Sequence, residues 1–334
     1  MRQTTSSVAT IDRLINRLVA SERPILFGHE RPDGDAVGAA LGLMWLLRGL
    51  GKRVTVSFAD PLSANLSFLP GAETVADLPV ADHDLIVALD GSDERRYGAN
   101  FSAALNDPSR PPLIAIDHHK TNTGFADESW VDSRFAATAQ MVYALALQAA
   151  WPVDQRAATC LATGCVTDTN AFTTDHTTPE LLDAVASLMR RGAPLADIIR
   201  EGIALKSEAD AMLWGRVLAT ATIEDGVAYA LSRLVDRNAV NASEGDGSGI
   251  VSFLRNVRGV ALSILFVEQE DGQTRLSFRS NPDTDVAALA LEWGGGGHAQ
   301  AAGATVALPL DEAVAQIVPA AKRLVSASHT DSGA

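Results

Sequence analysis

The stretch "PILFGHERPDGDAVGAALGLMWLLRGLG" (24–51) decides the fold. Residues 24–28 are a short apolar run of strand formers, followed at once by the polar loop His29–Asp35. A helix is then predicted from about Ala36 to Leu50, with Gly51 as its C-terminal cap. Three more apolar runs follow the same scheme: "RVTVSFAD" (53–60), "DLIVALD" (84–90) and "PLIAIDHH" (112–119). They are continuous rather than alternating, the pattern of parallel strands covered by helices on both faces. The predicted fold class is α/β: an N-terminal doubly wound, mostly parallel sheet and a smaller C-terminal mixed α/β domain.

Acids and imidazoles recur where these strands end. His29, Asp33 and Asp35 follow the first strand, Asp90 the third, and Asp117, His118 and His119 the fourth. In open α/β sheets ligands bind at the carboxyl edge, so one site is expected to collect them, together with Asp168 of "VTDTNAF" (166–172). So many carboxylates cannot share a cleft without cations to neutralise them. Carboxylates with imidazoles and no thiolates suit Mn²⁺ or Mg²⁺, the imidazoles favouring Mn²⁺. A two-metal site points to phosphoryl chemistry. The bland alternative is that the loop acids cap the following helix, Asp35 beside Ala36 being so placed.

The chain has 334 residues and a net charge of −14, room for two cores and no broad basic footprint for long duplex nucleic acid. Cys160 and Cys165 lie five apart in an apolar segment and read as reduced core residues. The first twenty residues read as an amphipathic helix rather than a signal peptide, and 41–50, the most apolar helical stretch, is short and carries Arg48. No membrane association and a cytoplasmic location are expected. Helices are read over 134–165, with Asp168 in a loop or at a helix start, and over "TTPELLDAVASLMRRG" (177–192). A helical connector covers 193–213 and a second domain 214–325, with hairpins turning at Asp225-Gly226 and Asp271-Gly272. Residues 241–249 read as a flexible loop and 326–334 as a disordered tail. In "GGGGHAQAAG" (294–303), glycines 295, 296 and 297 could let backbone N–H groups approach a phosphate, with His298 beside them and Arg279 and Ser280 in "SFRS". Arg255 and Arg258 are further candidate contacts, ordinary surface charge being the alternative.

"HERPDGD", "ALDGSD", "IDHHKTN" and "VTDTNAF", followed by "SFRS" and "GGGGHAQAAG", resemble the motifs of the DHH phosphoesterase superfamily. The resemblance is to its small RecJ-like branch of nano-RNase/pAp phosphatase type, which includes cyclic-dinucleotide phosphodiesterases. It implies a catalytic DHH domain (1–192), a DHH-associated substrate-binding domain (214–325) and an active site in the cleft between them. One metal would be held by His29, Asp33 and Asp90, and a second by Asp35, Asp90, His118 and Asp168, giving two Mn²⁺ per chain with Mg²⁺ as a substitute. Asp117 would orient the histidine pair, and His119 would contact the scissile phosphate or help the leaving oxygen depart, while water activated between the metals attacks phosphorus in line. Arg279 and His298 would hold the substrate's phosphate or nucleotide end. Asn170, Phe172 and Thr173 depart from the family's usual Gly and aromatic-Arg pattern, which bears on substrate preference.

The expected activity is hydrolysis of very short oligoribonucleotides and of 3′-phosphoadenosine 5′-phosphate. Cyclic or linear di-AMP hydrolysis is an alternative, as are pyrophosphate or polyphosphate hydrolysis and a non-enzymatic nucleotide-sensing module. A homodimer is a candidate assembly.

Overall fold

The structure, a computed structural model, describes residues 8–242, 247 and 249–331. It divides after Leu205 into two compact units.

The first unit contains the strands β1 (Pro24–Phe27), β2 (Thr55–Ser57), β3 (Leu85–Leu89), β4 (Leu113–Asp117) and β5 (Glu128–Val131). All pair in parallel, in the order β2-β1-β3-β4-β5. Its helices are α1 (Val8–Ala20), α2 (Gly34–Gly49), α3 (Gly98–Leu105), α4 (Thr138–Gln148), α5 (Gln155–Asp168), α6 (Pro179–Arg190) and α7 (Leu195–Ile199). Alternate strand residues serve two cores. Leu26, Val87, Leu89, Ile114 and Ile116 meet α2, α4 and α5 on one face, while Ile25, Phe27, Ile86, Ala88 and Ala115 meet Tyr97 and Phe101 on the other. Helices on both faces explain why these strands carry no polar alternation.

The order reverses direction between β1 and β3, the point at whose carboxyl edge open α/β sheets bind their ligands. Helices α2 and α5 approach backbone to backbone. A Cβ on Gly38 would lie 2.5 Å from Cys160 O, and one on Gly164 would lie 2.6 Å from Asp35 Oδ1. Glycine at these positions lets α5 deliver its end to Asp35. Cys160 and Cys165 are free and buried, as read.

The second unit contains α8 (Glu208–Leu218), β6 (Thr222–Glu224), β7 (Val227–Ser232), α9 (Leu234–Ala239), α10 (Ile250–Arg255), β8 (Leu262–Glu268), β9 (Thr274–Ser280), α11 (Val286–Glu292), β10 (Gly296–His298), β11 (Ala301–Val306) and α12 (Leu310–Asp331). Its mixed sheet runs β10-β11-β9-β8-β7-β6, with β7 and β8 parallel. One face packs on α11 and α12, the other on α8 and α10. No described helix is long and apolar enough to cross a membrane.

Three expectations change. There is no separate connector over 193–213: Ile198 packs into the first unit's core, whereas Leu213 packs with Val217 and Ile250 in the second, so the division falls after Leu205. Residues 326–331, expected as a disordered tail, continue α12, because extending a formed helix costs far less than starting one. Asp168 is the last residue of α5, neither loop nor helix start. Within α5, Thr163 and Thr167 donate their hydroxyls to the i−4 carbonyls of Thr159 and Thr163 and so fit the helix. Of the flexible loop read over 241–249, residues 243–246 and 248 lie outside the described residues, as do 332–334.

Candidate active site

Each side chain of the acidic cluster is delivered by the end of a regular element. Asp33 is the N-cap of α2, its carboxylate accepting from the N–H groups of Asp35 and Ala36 at 3.0 Å each. The capping role considered for Asp35 therefore belongs to Asp33. Asp35 is buried in the first turn and accepts from Thr138 N (2.6 Å) and Ala139 N (2.9 Å) at the start of α4. Asp90 follows β3 with φ 58°, a left-handed turn that aspartate tolerates better than most residues. Its Oδ1 accepts from the Thr138 hydroxyl at 2.9 Å. Asp117 ends β4 and His118 and His119 follow it.

The imidazoles are oriented by their second nitrogens. His29 Nδ1 meets Glu30 O at 2.8 Å, which presents Nε2 to Asp33 Oδ2 (3.4 Å) and Asp90 Oδ2 (3.7 Å). His118 Nδ1 meets Phe135 O at 3.4 Å, so its Nε2 faces Asp90 Oδ1 (3.5 Å) and Asp168 Oδ2 (3.7 Å). A carbonyl only accepts, so each Nδ1 donates and each Nε2 is left for a cation. His119 differs: its Nδ1 meets Asp117 Oδ1 at 2.7 Å, and Asn122 donates to Asp117 Oδ2 at 2.7 Å.

The six expected ligands converge. His29, Asp33 and Asp90 form one group whose donor atoms all lie within 4.8 Å of one another, and Asp35, His118 and Asp168 form another; Asp90 also groups with His118 and His119. Asp90 turns Oδ2 to His29 and Oδ1 to His118, which places it between the two groups. This donor set, hard carboxylates with imidazoles, fits divalent cations of the Mn²⁺ and Mg²⁺ kind.

The protonation equilibria describe a site short of positive charge. Burial, then repulsion from Asp90 and Asp33, pushes the Asp168 carboxyl up to about 7. Burial and neighbouring carboxylates likewise raise Asp35 and Asp90. Burial opposes the charge on His119, but the hydrogen bond to Asp117 and the surrounding carboxylates outweigh it and raise His119 to about 9. Asp33, whose side chain is more than half exposed, is held at about 2: desolvation by its neighbours opposes the charge, but the hydrogen bond to His29 and the backbone N–H groups it caps outweigh it.

Sequence reasoning passed over Thr138 and Asn122. Asn122 stands within "IDHHKTN", where its offset of five from Asp117 signals a local turn; Thr138 carried no signal, since its link to Asp90 spans 48 residues. The departures at Asn170 and Thr173 answer one another, Asn170 Nδ2 donating to Thr173 Oγ1 at 3.0 Å beside a left-handed run over Asn170, Ala171 and Phe172.

In the second unit the expected substrate residues divide. Arg279 is half-buried on β9, donates to Phe278 O at 2.8 Å, and has its pKa lowered by burial and by the charge of Arg255. Two guanidinium groups that repel each other there suit an anion. Arg255 is half-buried and donates to Asn256 Oδ1, and Arg258 is exposed. Ser280 is a correction: it is 1% exposed and its hydroxyl donates to Thr284 O, which spends it on closing the turn after β9. Gly295 and Gly297 are required by the neighbouring strand, since a Cβ would lie 2.1 Å from Gly303 O or 2.5 Å from Ala301 O; Gly296 faces open space. The His298 side chain lies outside the described residues.

These features are those of a site able to hold divalent cations, and comparison with known proteins shows the class, a phosphoester hydrolase. The DHH family N-terminal domain matches residues 24–165 and the DHHA1 domain residues 226–327. The chain belongs to the DHH family. It is 35% identical over 313 residues to the bifunctional oligoribonuclease and PAP phosphatase NrnA of Thermus thermophilus, covering 91% of each chain. Its identity to the NrnA protein of Bacillus subtilis is 27% over 297 residues, covering 88% of this chain and 92% of that one. The fold is that of an exopolyphosphatase-related protein from Bacteroides fragilis, with a TM-score of 0.90 and 24% identity over 97% of this chain and all of that one.

Proposed function

We propose that this chain hydrolyses very short oligoribonucleotides and 3′-phosphoadenosine 5′-phosphate, using two Mn²⁺ ions. The observation that carries the reading is the convergence of six donor residues from separate elements into two groups with Asp90 between them. Similarity across 91% of a relative named for both activities supports the substrate class. His29, Asp33 and Asp90 would hold one ion, and Asp35, Asp90, His118 and Asp168 the other, with Mg²⁺ able to substitute. Bound dications supply charge to phosphate oxygens and lower the pKa of a coordinated water.

The remaining tasks fall to the chain's own side chains. Asp117 fixes the His119 ring through Nδ1 and, as an anion beside it, favours the protonated imidazole. That leaves Nε2–H to donate to a phosphate oxygen or to the departing oxygen. Arg279, with Arg255 beside it, would bind the substrate's anionic end. The reading includes a cytoplasmic location and a homodimeric assembly.

The test is side-by-side hydrolysis of 3′-phosphoadenosine 5′-phosphate, a diribonucleotide, linear and cyclic di-AMP, and pyrophosphate, each with Mn²⁺, Mg²⁺ or chelator. Fastest turnover of the first two with Mn²⁺, abolished by chelation, is expected. Preference for cyclic di-AMP or pyrophosphate would overturn the substrate assignment, and full activity in chelator would overturn the metal assignment.

A further inference from the structure

Six consecutive residues, Phe135–Gln140, touch three of the expected ligands without offering one themselves. Phe135 O accepts from His118 Nδ1. Thr138 N and Ala139 N donate to the two oxygens of Asp35, at 2.6 and 2.9 Å. The Thr138 hydroxyl donates to Asp90 Oδ1 at 2.9 Å. The segment is pinned in turn: Gln140 Oε1 accepts from Ala136 N at 2.9 Å across the first turn of α4, in a buried setting. His118, Asp35 and Asp90 come from three different elements, so no short-range geometry ties them together.

We propose that Phe135–Gln140 is a positioning clamp for the metal centre and that the Thr138 hydroxyl sets the roll of the Asp90 carboxylate. This rests on the metal reading above and deepens it. Asp90 is 1% exposed, so its roll is fixed by protein donors rather than by water. The hydroxyl occupies one lone pair of Oδ1, the oxygen that faces His118, and this keeps Oδ2 turned to His29. Without that bond the carboxylate is free to rotate about its Cβ–Cγ bond, and Asp90 no longer turns one oxygen to each group. Because Thr138 also holds Asp35 through its main chain, a side-chain substitution isolates the Asp90 arm and leaves the Asp35 arm in place.

The test is calorimetric titration of Mn²⁺ into the full-length, chelator-stripped protein, comparing wild type with Thr138→Val and Thr138→Ser. Valine keeps the shape and removes the donor, whereas serine keeps the donor. Residues behind metal ligands typically govern affinity by about 10- to 100-fold, so Thr138→Val is expected to weaken Mn²⁺ binding by that factor and Thr138→Ser to restore it to within about threefold. A purely structural role would lower the melting temperature of the metal-free protein and leave the Mn²⁺ affinity of the folded protein unchanged. Wild-type affinity in folded Thr138→Val, or a serine variant as weak as the valine variant, overturns the proposal. If circular dichroism shows Thr138→Val unfolded, Thr138→Ala is read on the same criteria. A wild-type protein that takes up no Mn²⁺ would instead overturn the metal reading itself.

Discussion

The two units place their polar residues by opposite means. In the first, a parallel sheet reverses its strand order, and loop and helix ends deliver acids and imidazoles that hydrogen bonds then orient. In the second, a mixed sheet takes much of the conspicuous polar and glycine sequence into its own packing: Ser280 closes a turn, and Gly295 and Gly297 make room for β11. Arg279 and Arg255 are left with charge that packing does not use. A motif in a loop at a parallel sheet's carboxyl edge is thus free for chemistry, whereas one inside a strand pair first answers to the strands.

The largest effect that would test this contrast lies at Asp90. Asp90→Ala removes the member placed between both groups, and turnover is expected to fall on the order of 10³-fold or more, since metal charge stabilisation is worth several kcal/mol. Bound manganese measured by elemental analysis should fall with it; retained metal and turnover would remove Asp90 from the centre. Arg279→Ala should lower kcat/KM by about 10- to 100-fold, the worth of a charged hydrogen bond, with metal content intact. Metal loss in this variant would show that Arg279 does not act on substrate.

A smaller effect is the pH dependence of the metal-free protein. Asp168, at about 7, has a folded pKa above its unfolded one, so its destabilisation is absent near pH 4 and complete above pH 7. His119, at about 9, contributes stability that is full below pH 6.5 and lost as pH rises through 9. Both slopes run the same way, so metal-free protein should melt several degrees higher at pH 5 than at pH 8. Saturating Mn²⁺ should shrink or reverse the difference, because the metal requires ionised ligands. Equal melting temperatures at the two pH values without metal would show that the carboxylates are not crowded as described. Smallest is Ser280→Ala, which should cost about 1–3 kcal/mol in denaturant unfolding and leave KM unchanged; a raised KM would return Ser280 to the substrate site.

Sequence alone determined the parallel sheet, the two family domains and most of the acids and imidazoles that cluster, because these reside in local patterns: apolar runs of strand length, and acids or imidazoles immediately after them. Strand β5 escaped, being four residues long with one buried side chain, Trp130. Only tertiary structure decided that Asp33 rather than Asp35 caps α2, that Asp168 rides on a helix end, and that Thr138 serves Asp90. It also decided which of the glycines and serines near residue 295 were already engaged. The physical reason is range: strand and helix patterns are written within a few residues, while a hydroxyl's partner 48 positions away is chosen by packing.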